Sequence, residues 1–204
     1  METEDQQVER IKEFWNEHGK GIIAGLVIGF AIFYGWRYYD AKVMAEKEAL
    51  SEQFETVMTA MASDAETATT DAQAFLQANS SNTYAHLAAL ELARKAVEAG
   101  DLATAVSALQ SVRDNAKGAL KAVADVRQAR VLNAQGQYDS ALAAISTTDA
   151  TAGFKAAVLE LRGDILLAKG DSAGARAAYQ AAIDANEQGG GVAEIKLKSI
   201  PAES

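Results

Sequence analysis

The sequence contains no cysteine, a single proline at position 201 and only two histidines among its 204 residues. Without cysteine the chain cannot form disulfides, thiolate zinc sites or iron–sulfur clusters, and it has no thiol nucleophile. Aromatic residues make up only 7% of the chain. Alanine, leucine, glutamate and glutamine far outnumber the β-branched residues. This composition predicts an all-α fold.

Charge and motifs exclude several further classes of protein. The formal net charge of -9 at pH 7 argues against a nucleic-acid surface, because such a surface needs clustered Lys and Arg to displace counterions. The chain has no Walker loop, no G-x-S-x-G and no H-E-x-x-H motif. His86 has no partner at metal-ligand spacing, and we expect it to face solvent or cap a helix. We therefore predict no enzymatic activity, no catalytic residues, no metal and no cofactor.

One apolar run lies near the amino terminus. Residues 21–36 read GIIAGLVIGFAIFYGW, sixteen residues without a charge, between Lys20 and Arg37. As a helix the run covers roughly 24 Å, at about 1.5 Å per residue, and the two flanking basic side chains extend it by snorkelling. No small-x-small cleavage site follows it. These features predict an uncleaved transmembrane signal anchor over residues 20–39, whose end carries an aromatic belt of Tyr34, Trp36, Tyr38 and Tyr39.

Three glycines in this run recur one helical turn apart. Gly21, Gly25 and Gly29 would form a stripe on which the backbone of another helix can approach closely. We interpret the stripe as a face for helix packing in the membrane. The alternative is that glycine is simply common in membrane helices.

The tail before the span, residues 1–19, also has helical spacing. Val8, Ile11 and Trp15 predict an amphipathic helix on the membrane surface. Three basic residues lie close to the span on each side, so the positive-inside rule leaves the orientation undecided.

An internal repeat follows in the extramembrane part, residues 40–204. Three segments, near residues 87–112, 123–147 and 157–183, align on turn glycines at positions 100, 136 and 170, which are 36 and 34 residues apart. Each has a small residue seven positions before the glycine, an alanine five positions after it and a larger apolar residue nine positions after it. This pattern resembles the tetratricopeptide repeat, a pair of antiparallel helices. Gln128 and Arg162 depart from it, because the repeat prefers leucine there.

Both ends of the array have weaker patterns. Residues 42–61 are predicted to continue the membrane helix, and a further helix is expected around Phe75 and Leu76. Gly189–Gly191 breaks the array, and Ile195, Leu197 and Ile200 are expected to form a closing element. The predicted fold is thus a single transmembrane helix followed by an α-solenoid.

The order of these elements, the GWRYY exit of the span and residues 82–109, 120–142 and 157–179 resemble the YfgM family of bacterial inner-membrane proteins. The resemblance implies a cytoplasmic amino terminus and a periplasmic repeat domain. It also implies partnership with the SecYEG translocon and with the membrane-anchored periplasmic chaperone PpiD.

We therefore predict a membrane-anchored adaptor that binds a periplasmic chaperone or secretory clients leaving the channel. Two alternatives stay open: a scaffold or assembly factor for another cell-envelope complex, and an anchor that faces the cytoplasm. Repeat arrays of this kind commonly bind through the concave surface lined by their first helices. The candidate contact residues on these helices are Tyr84, Leu87, Glu91, Arg94, Lys95, Arg127, Arg130, Glu160 and Arg162.

Overall fold

The computed structural model describes residues 4–146, 148, 154–186 and 191–201, with side chains from residue 8 onward. Its described part contains helices and no strand, which confirms the predicted all-α class. The helices are α1 (Glu4–Ala62), α2 (Ala68–Ala78), α3 (Thr83–Glu98), α4 (Leu102–Asn115), α5 (Gly118–Ala134), α6 (Tyr138–Ser146), α7 (Lys155–Lys169), α8 (Ser172–Asp184) and α9 (Val192–Ser199). The chain divides into two compact units, Met1–Ser51 and Glu52–Ser204.

In its described part, the first unit consists of α1 up to Ser51. Within the described residues, α1 is the one helix that is long and apolar enough to cross a membrane. Most large apolar side chains of the predicted span, such as Phe30 and Ile32, are more than half exposed, as expected of a surface that faces lipid. The predicted tail helix, the predicted span and residues 42–61 are all parts of this one helix.

The second unit contains three helix pairs, α3–α4, α5–α6 and α7–α8, each joined by a tight turn. The turn glycines Gly100, Gly136 and Gly170 have φ angles of 76°, 74° and 93°. Residues with a Cβ rarely adopt this left-handed conformation, which reverses the chain at the end of a helix. The glycines of the repeat pattern therefore recur because the turn requires a positive φ angle at that position.

Aspartates begin the second helix of two of these pairs. The Asp101 side chain accepts a hydrogen bond from the backbone N–H of Thr104 at 3.0 Å, and Asp171 accepts one from Gly174 at 2.8 Å. Each bond satisfies a backbone donor that has no partner within its helix.

The aligned positions of the repeat lie where the two helices of each pair cross. The alanines five residues after the glycines, Ala105, Ala141 and Ala175, have no exposed surface. The small residues seven positions before the glycines and the larger apolar residues nine positions after them are also buried: Ala93, Ala129, Gly163, Leu109, Ile145 and Tyr179. The array is therefore held by close helix crossings with larger side chains filling the space beside them.

Additional helices cover both ends of the array within the second unit. At one end Val57 and Met61, near the end of α1, are buried, and the Phe54 ring lies 6.4 Å from that of Phe75 on α2. At the other end α9 packs against α8, and Ile200 is buried beside Tyr179. Helix α9 and Ile200 therefore cover the apolar face of α8 at the end of the array, as a solenoid requires. Thr147 and the glycines at 189 and 190, which the sequence predictions include, lie outside the described residues.

Candidate functional site

The three first helices of the pairs present a common face. Helix α5 contacts both α3 and α7, so the three lie side by side. Residues 13, 10, 6 and 3 positions before each turn glycine fall on one side of a helix, because their spacing follows its 3.6-residue period. We call these residues the first-helix face: Leu87, Leu90, Arg94 and Val97 on α3, Val123, Val126, Arg130 and Asn133 on α5, and Ala157, Glu160, Asp164 and Leu167 on α7.

The predicted contact residues fall into three groups around these helices. Four of them, Leu87, Arg94, Arg130 and Glu160, belong to the first-helix face. Another four lie along its edge: Tyr84, Glu91, Lys95 and Arg127. Tyr84 is half-buried because its ring packs against that of Phe54, with centroids 5.0 Å apart. Arg162 takes the position of Gln128 in its repeat and points to a different side of its helix.

The basic side chains of α3 are paired with acidic side chains, either on the same helix or at Asp64. Arg94 donates hydrogen bonds to Glu91, with Nε–Oε2 at 3.0 Å, and also to Glu98. Lys95 Nζ lies 2.6 Å from Asp64 Oδ1. The hydrogen bond from Arg94 holds the pKa of Glu91 below its usual value, and the bond from Lys95 does the same for the pKa of Asp64. These groups form local ion pairs at this end of the array.

On α7 the acidic residues are paired with a lysine from α9. Lys196 Nζ lies 2.7 Å from Glu160 Oε1 and 2.8 Å from Asp164 Oδ2, and the Tyr179 hydroxyl donates to Asp164 at 2.7 Å. Partial burial lowers the pKa of Lys196, but its hydrogen bonds to the two carboxylates outweigh that and raise the pKa overall. Burial and the bond to Asp164 raise the pKa of Tyr179.

Helix α5 lies between α3 and α7, and its two arginines are not held in ion pairs of this kind. Arg127 and Arg130 are exposed, and neither forms a hydrogen bond or ion pair with another residue in the described ranges. Arg127 is near enough to Glu91 to contribute to lowering the pKa of that carboxyl group. The centre of the first-helix face therefore carries positive charge, whereas its two ends contain ion pairs.

Arg162 lines a separate cavity between α6 and α7. The cavity has a volume of about 480 Å³ and mostly apolar walls, formed by Leu142, Ala143, Ile145, Ser146, Thr148, Lys155, Val158, Leu159 and Arg162. The predicted contact residues thus do not form one continuous surface.

A buried polar cluster between α4 and α5 was not predicted as a site. Asp125 has no exposed surface, and its carboxylate accepts hydrogen bonds from Arg113 Nε at 2.5 Å and Lys121 Nζ at 2.9 Å. Gln128 also binds Arg113 and donates to the backbone carbonyl of Val106 at 3.2 Å. The Lys121–Asp125 pair lies within α5, and the other bonds join α4 to α5. The sequence signal was Gln128, a polar residue where the repeat prefers leucine.

The glycine stripe on α1 is open. A Cβ built at Gly21, Gly25 or Gly29 would meet no atom within 4 Å, so no part of the described chain requires glycine there. Across the described residues, no three His, Asp or Glu side chains are grouped in a way that could hold a metal ion.

Comparison with known proteins gives consistent matches along nearly the whole chain. A tetratricopeptide repeat-like domain family matches residues 12–202. A protein of Escherichia coli called an ancillary SecYEG translocon subunit is 36% identical over 183 residues, covering 89% of this chain and 88% of that protein. A protein of the same name from Haemophilus influenzae is 30% identical, covering 91% of both chains. A third, from Aggregatibacter actinomycetemcomitans, is 34% identical, covering 88% of both.

A solved structure has the same fold. The crystal structure of MamA superposes with a TM-score of 0.55 at 17% identity, covering 78% of this chain and 81% of that one. At this identity the likeness concerns the fold alone.

Proposed function

Because the chain belongs to the tetratricopeptide repeat-like family of ancillary SecYEG translocon subunits, we propose that it is a non-enzymatic adaptor anchored beside this channel in the bacterial inner membrane. The observation that carries the proposal is the extent of the similarity. The relative from Escherichia coli matches 89% of the chain, so the match includes sequence from both the anchor and the repeats. Similarity confined to the repeats would have supported only a generic binding module.

The proposed topology follows the predicted segments. Residues 1–19 form a cytoplasmic tail, residues 20–39 span the membrane and residues 40–204 form the periplasmic repeat domain. The apolar, outward-facing side chains of α1 support the span. The orientation rests on the family resemblance, because the basic residues are balanced on both sides.

The proposed partners bind at two places. The glycine stripe packs against a helix of the channel or of a membrane-anchored partner, and the first-helix face binds a PpiD-like periplasmic chaperone or an emerging secretory chain. Open space around the three glycines supports the first contact. Exposed side chains on the first helices support the second, because solenoids use such surfaces to bind other proteins.

Affinity purification tests the adaptor role. A tagged full chain is extracted from membranes in mild detergent, and the co-purifying proteins are identified by mass spectrometry. We expect the SecYEG subunits to be enriched over a control that carries an unrelated single-span anchor. Enrichment of a different envelope complex would instead support the alternative of a scaffold for that complex.

The absence of cysteine makes the topology easy to test. Single cysteines introduced as Glu9→Cys and Ser63→Cys, both at exposed positions, would be the only thiols in the chain. A membrane-impermeant maleimide applied to cells with a permeabilised outer membrane should label the second variant and not the first. The reverse labelling pattern would show that the repeat domain faces the cytoplasm.

A further inference from the structure

We propose that the cavity between α6 and α7 binds a small amphiphilic carboxylate, a single alkyl chain with a carboxylate headgroup, such as the anion of a medium-chain fatty acid. The cavity lies outside the first-helix face, and its ligand has no part in the proposed function. Two basic side chains, Lys155 and Arg162, recognise the headgroup, and the apolar walls of the cavity take up the alkyl chain.

The charge of the cavity lining is the first observation. Of the nine lining residues in the described ranges, two are basic and none is acidic. Lys155 and Arg162 are exposed, and neither forms a hydrogen bond or ion pair with another residue that the structure describes. Lys155 is also the first residue of α7, where the partial positive charge of a helix N-terminus adds to that of the ammonium group. The lining thus carries two uncompensated positive charges in a protein whose net charge is -9.

The equivalent junction between α4 and α5 supplies its own carboxylate. The residues 15, 11 and 8 positions before the turn glycine are Lys121, Asp125 and Gln128 on α5 and Lys155, Leu159 and Arg162 on α7. Asp125 lies 2.9 Å from Lys121 Nζ and 2.5 Å from Nε of Arg113 on α4. On α7 a leucine takes the place of this aspartate, and an arginine takes the place of the neutral glutamine. The junction between α6 and α7 therefore keeps the basic residue, gains another and lacks the carboxylate.

Helix α6 is also shorter than its counterpart α4. Helix α4 contains fourteen residues and α6 contains nine. Arg113, which fills the first junction, follows Gly100 by thirteen positions, whereas α6 ends at Ser146, ten positions after Gly136. The position equivalent to Arg113, residue 149, lies outside the described residues. The cavity volume of about 480 Å³ falls within the range of about 300–1,000 Å³ that is typical of small-molecule sites.

The two hydroxyl groups of the lining are already engaged. The Thr148 hydroxyl donates to Asp125 at 3.2 Å, and the Ser146 hydroxyl donates to the backbone carbonyl of Ala143 at 2.8 Å. The side-chain donors left for a ligand in the described lining are therefore Lys155 and Arg162. Seven residues of helix separate them by about 10 Å, which two long side chains can bridge to reach one headgroup. A guanidinium group binds a carboxylate well because its planar fork offers two parallel donors.

Apolar side chains form most of the remaining lining: Leu142, Ala143, Ile145, Val158 and Leu159. An alkyl chain placed against them removes apolar surface from water on both sides of the contact, which is favourable in proportion to the area buried. A short anion would leave these walls in water, and a neutral alkyl chain would leave the two cations unpaired. The ligand that satisfies both parts of the lining is therefore amphiphilic and anionic.

Equilibrium dialysis of the full chain tests this chemistry. The chain is placed in phosphatidylcholine nanodiscs, and empty nanodiscs serve as the blank, so that partition into lipid is subtracted. Three radiolabelled compounds are compared at pH 7: octanoate, octylammonium and butanoate. We expect octanoate to bind at least about ten-fold more tightly than the other two, because octylammonium has the wrong charge and butanoate buries a much shorter alkyl chain.

Leu159→Asp places a carboxylate at the position that Asp125 occupies on α5. It should weaken octanoate binding at least about ten-fold, because the new carboxylate pairs with the two cations in place of the ligand. The double variant Lys155→Glu, Arg162→Glu should bind octylammonium more tightly than the unmodified chain does, and a variant that merely unfolds cannot gain affinity in this way. The matched control is Lys47→Glu, Lys117→Glu, which reverses two exposed lysines that do not line the cavity and should change neither affinity.

Several results would overturn the proposal. They are octanoate binding no tighter than that of butanoate or octylammonium, an unchanged preference after charge reversal, and no saturable octanoate binding above the blank at millimolar concentration. Asp149→Asn covers a further occupant, a carboxylate of the chain itself. A ten-fold gain in octanoate affinity in this variant would mean that the chain's own carboxylate fills the site, whereas unchanged affinity supports an external ligand.

Discussion

The ring of Tyr179 lies directly against the backbone of Gly163 where α7 and α8 cross. A Cβ built on Gly163 would lie 2.5 Å from Cε1 of this ring. The two earlier helix pairs have alanine in place of the glycine, at positions 93 and 129, and leucine or isoleucine in place of the tyrosine, at positions 109 and 145. The third pair thus accommodates a larger residue on one helix by having a smaller one on the other.

This relationship predicts that Gly163→Ala destabilises the array. Alanine is favoured over glycine in a helix by about 1 kcal/mol. The clash with the Tyr179 ring should cost about 1–3 kcal/mol. A net loss of stability would therefore show that the clash outweighs the gain in helix propensity. Urea unfolding of the full chain in detergent, followed by circular dichroism, measures the change. Adding Tyr179→Leu recreates the alanine–leucine pair of the first repeat, and a double-mutant cycle should then show favourable coupling. Additive effects would mean that the two residues are not in steric conflict.

Asp125 and Asp139 provide a matched comparison of a buried and an exposed ion pair. Asp125 is fully buried against Arg113, whereas Asp139 is 85% exposed beside Lys169. Asp125→Ala should lower the free energy of unfolding by about 3–5 kcal/mol, because it leaves a buried guanidinium without its partner. Asp139→Ala should cost less than about 1 kcal/mol. Similar losses for the two variants would show that the cluster does not stabilise the junction between α4 and α5.

The contact between α9 and α7 should weaken in alkali. The two carboxylates raise the pKa of Lys196 above its usual 10.5, so its contribution is fully present below the unfolded-state pKa and is lost as the pH rises through the folded value. We expect the difference in urea midpoint between the unmodified chain and Lys196→Met to be constant from pH 7 to about pH 10 and to shrink at higher pH.

The same experiment must take Tyr179 into account, since its pKa is also raised by burial and by its bond to Asp164. Its ionisation would destabilise the fold in the same range of pH. The chain with Lys196 and the Lys196→Met variant are therefore compared when both also carry Tyr179→Phe. A difference in urea midpoint that persists unchanged at pH 12 would contradict its assignment to the charge of Lys196.

The glycine stripe can be altered without disturbing the chain itself. Gly25→Leu and Gly29→Leu should leave membrane insertion intact, because a Cβ added at either position meets no atom of the described structure within 4 Å and leucine is apolar. They should reduce the amount of SecYEG that co-purifies, since close helix packing requires the missing side chains. Gly35→Leu is the matched control, at an equally open glycine outside the stripe. Equal recovery of SecYEG with all three variants would mean that the stripe reflects only the high frequency of glycine in membrane helices.

Local patterns in the sequence account for most of the fold. The spacing of the turn glycines gives the helix pairs, because a left-handed turn residue and small residues at the crossing are required by geometry. The buried cluster around Asp125 could not be predicted in the same way. Arg113 and Asp125 lie 12 residues apart on different helices, and only their packing shows that the two side chains meet.

His86, expected to face solvent or cap a helix, is instead 6% exposed, with Nε2 3.0 Å from the backbone carbonyl of Ser80.

The candidate site was predictable in part. The sequence identified the first helices, but the charge of each residue did not show which arginines are compensated. The sequence alone gives no ion-pair partner for Glu160, yet Lys196, 36 residues later, binds it. Arg162 shares its position in the repeat with the buried Gln128, so its side chain lies outside the face. Such distinctions depend on the rotation of each helix and on its neighbours, which no short segment encodes.

Photocrosslinking in living cells tests the central claim most directly. A photoreactive amino acid is placed at Arg127, at the edge of the first-helix face, and for comparison at the exposed turn residue Gln137 of the full chain. The captured proteins are then identified by mass spectrometry. We predict that position 127 captures SecYEG-associated periplasmic chaperone or secretory chains in transit, and that position 137 captures far less of them. Capture of cytosolic proteins alone at position 127 would contradict both the proposed orientation and the role at the translocon.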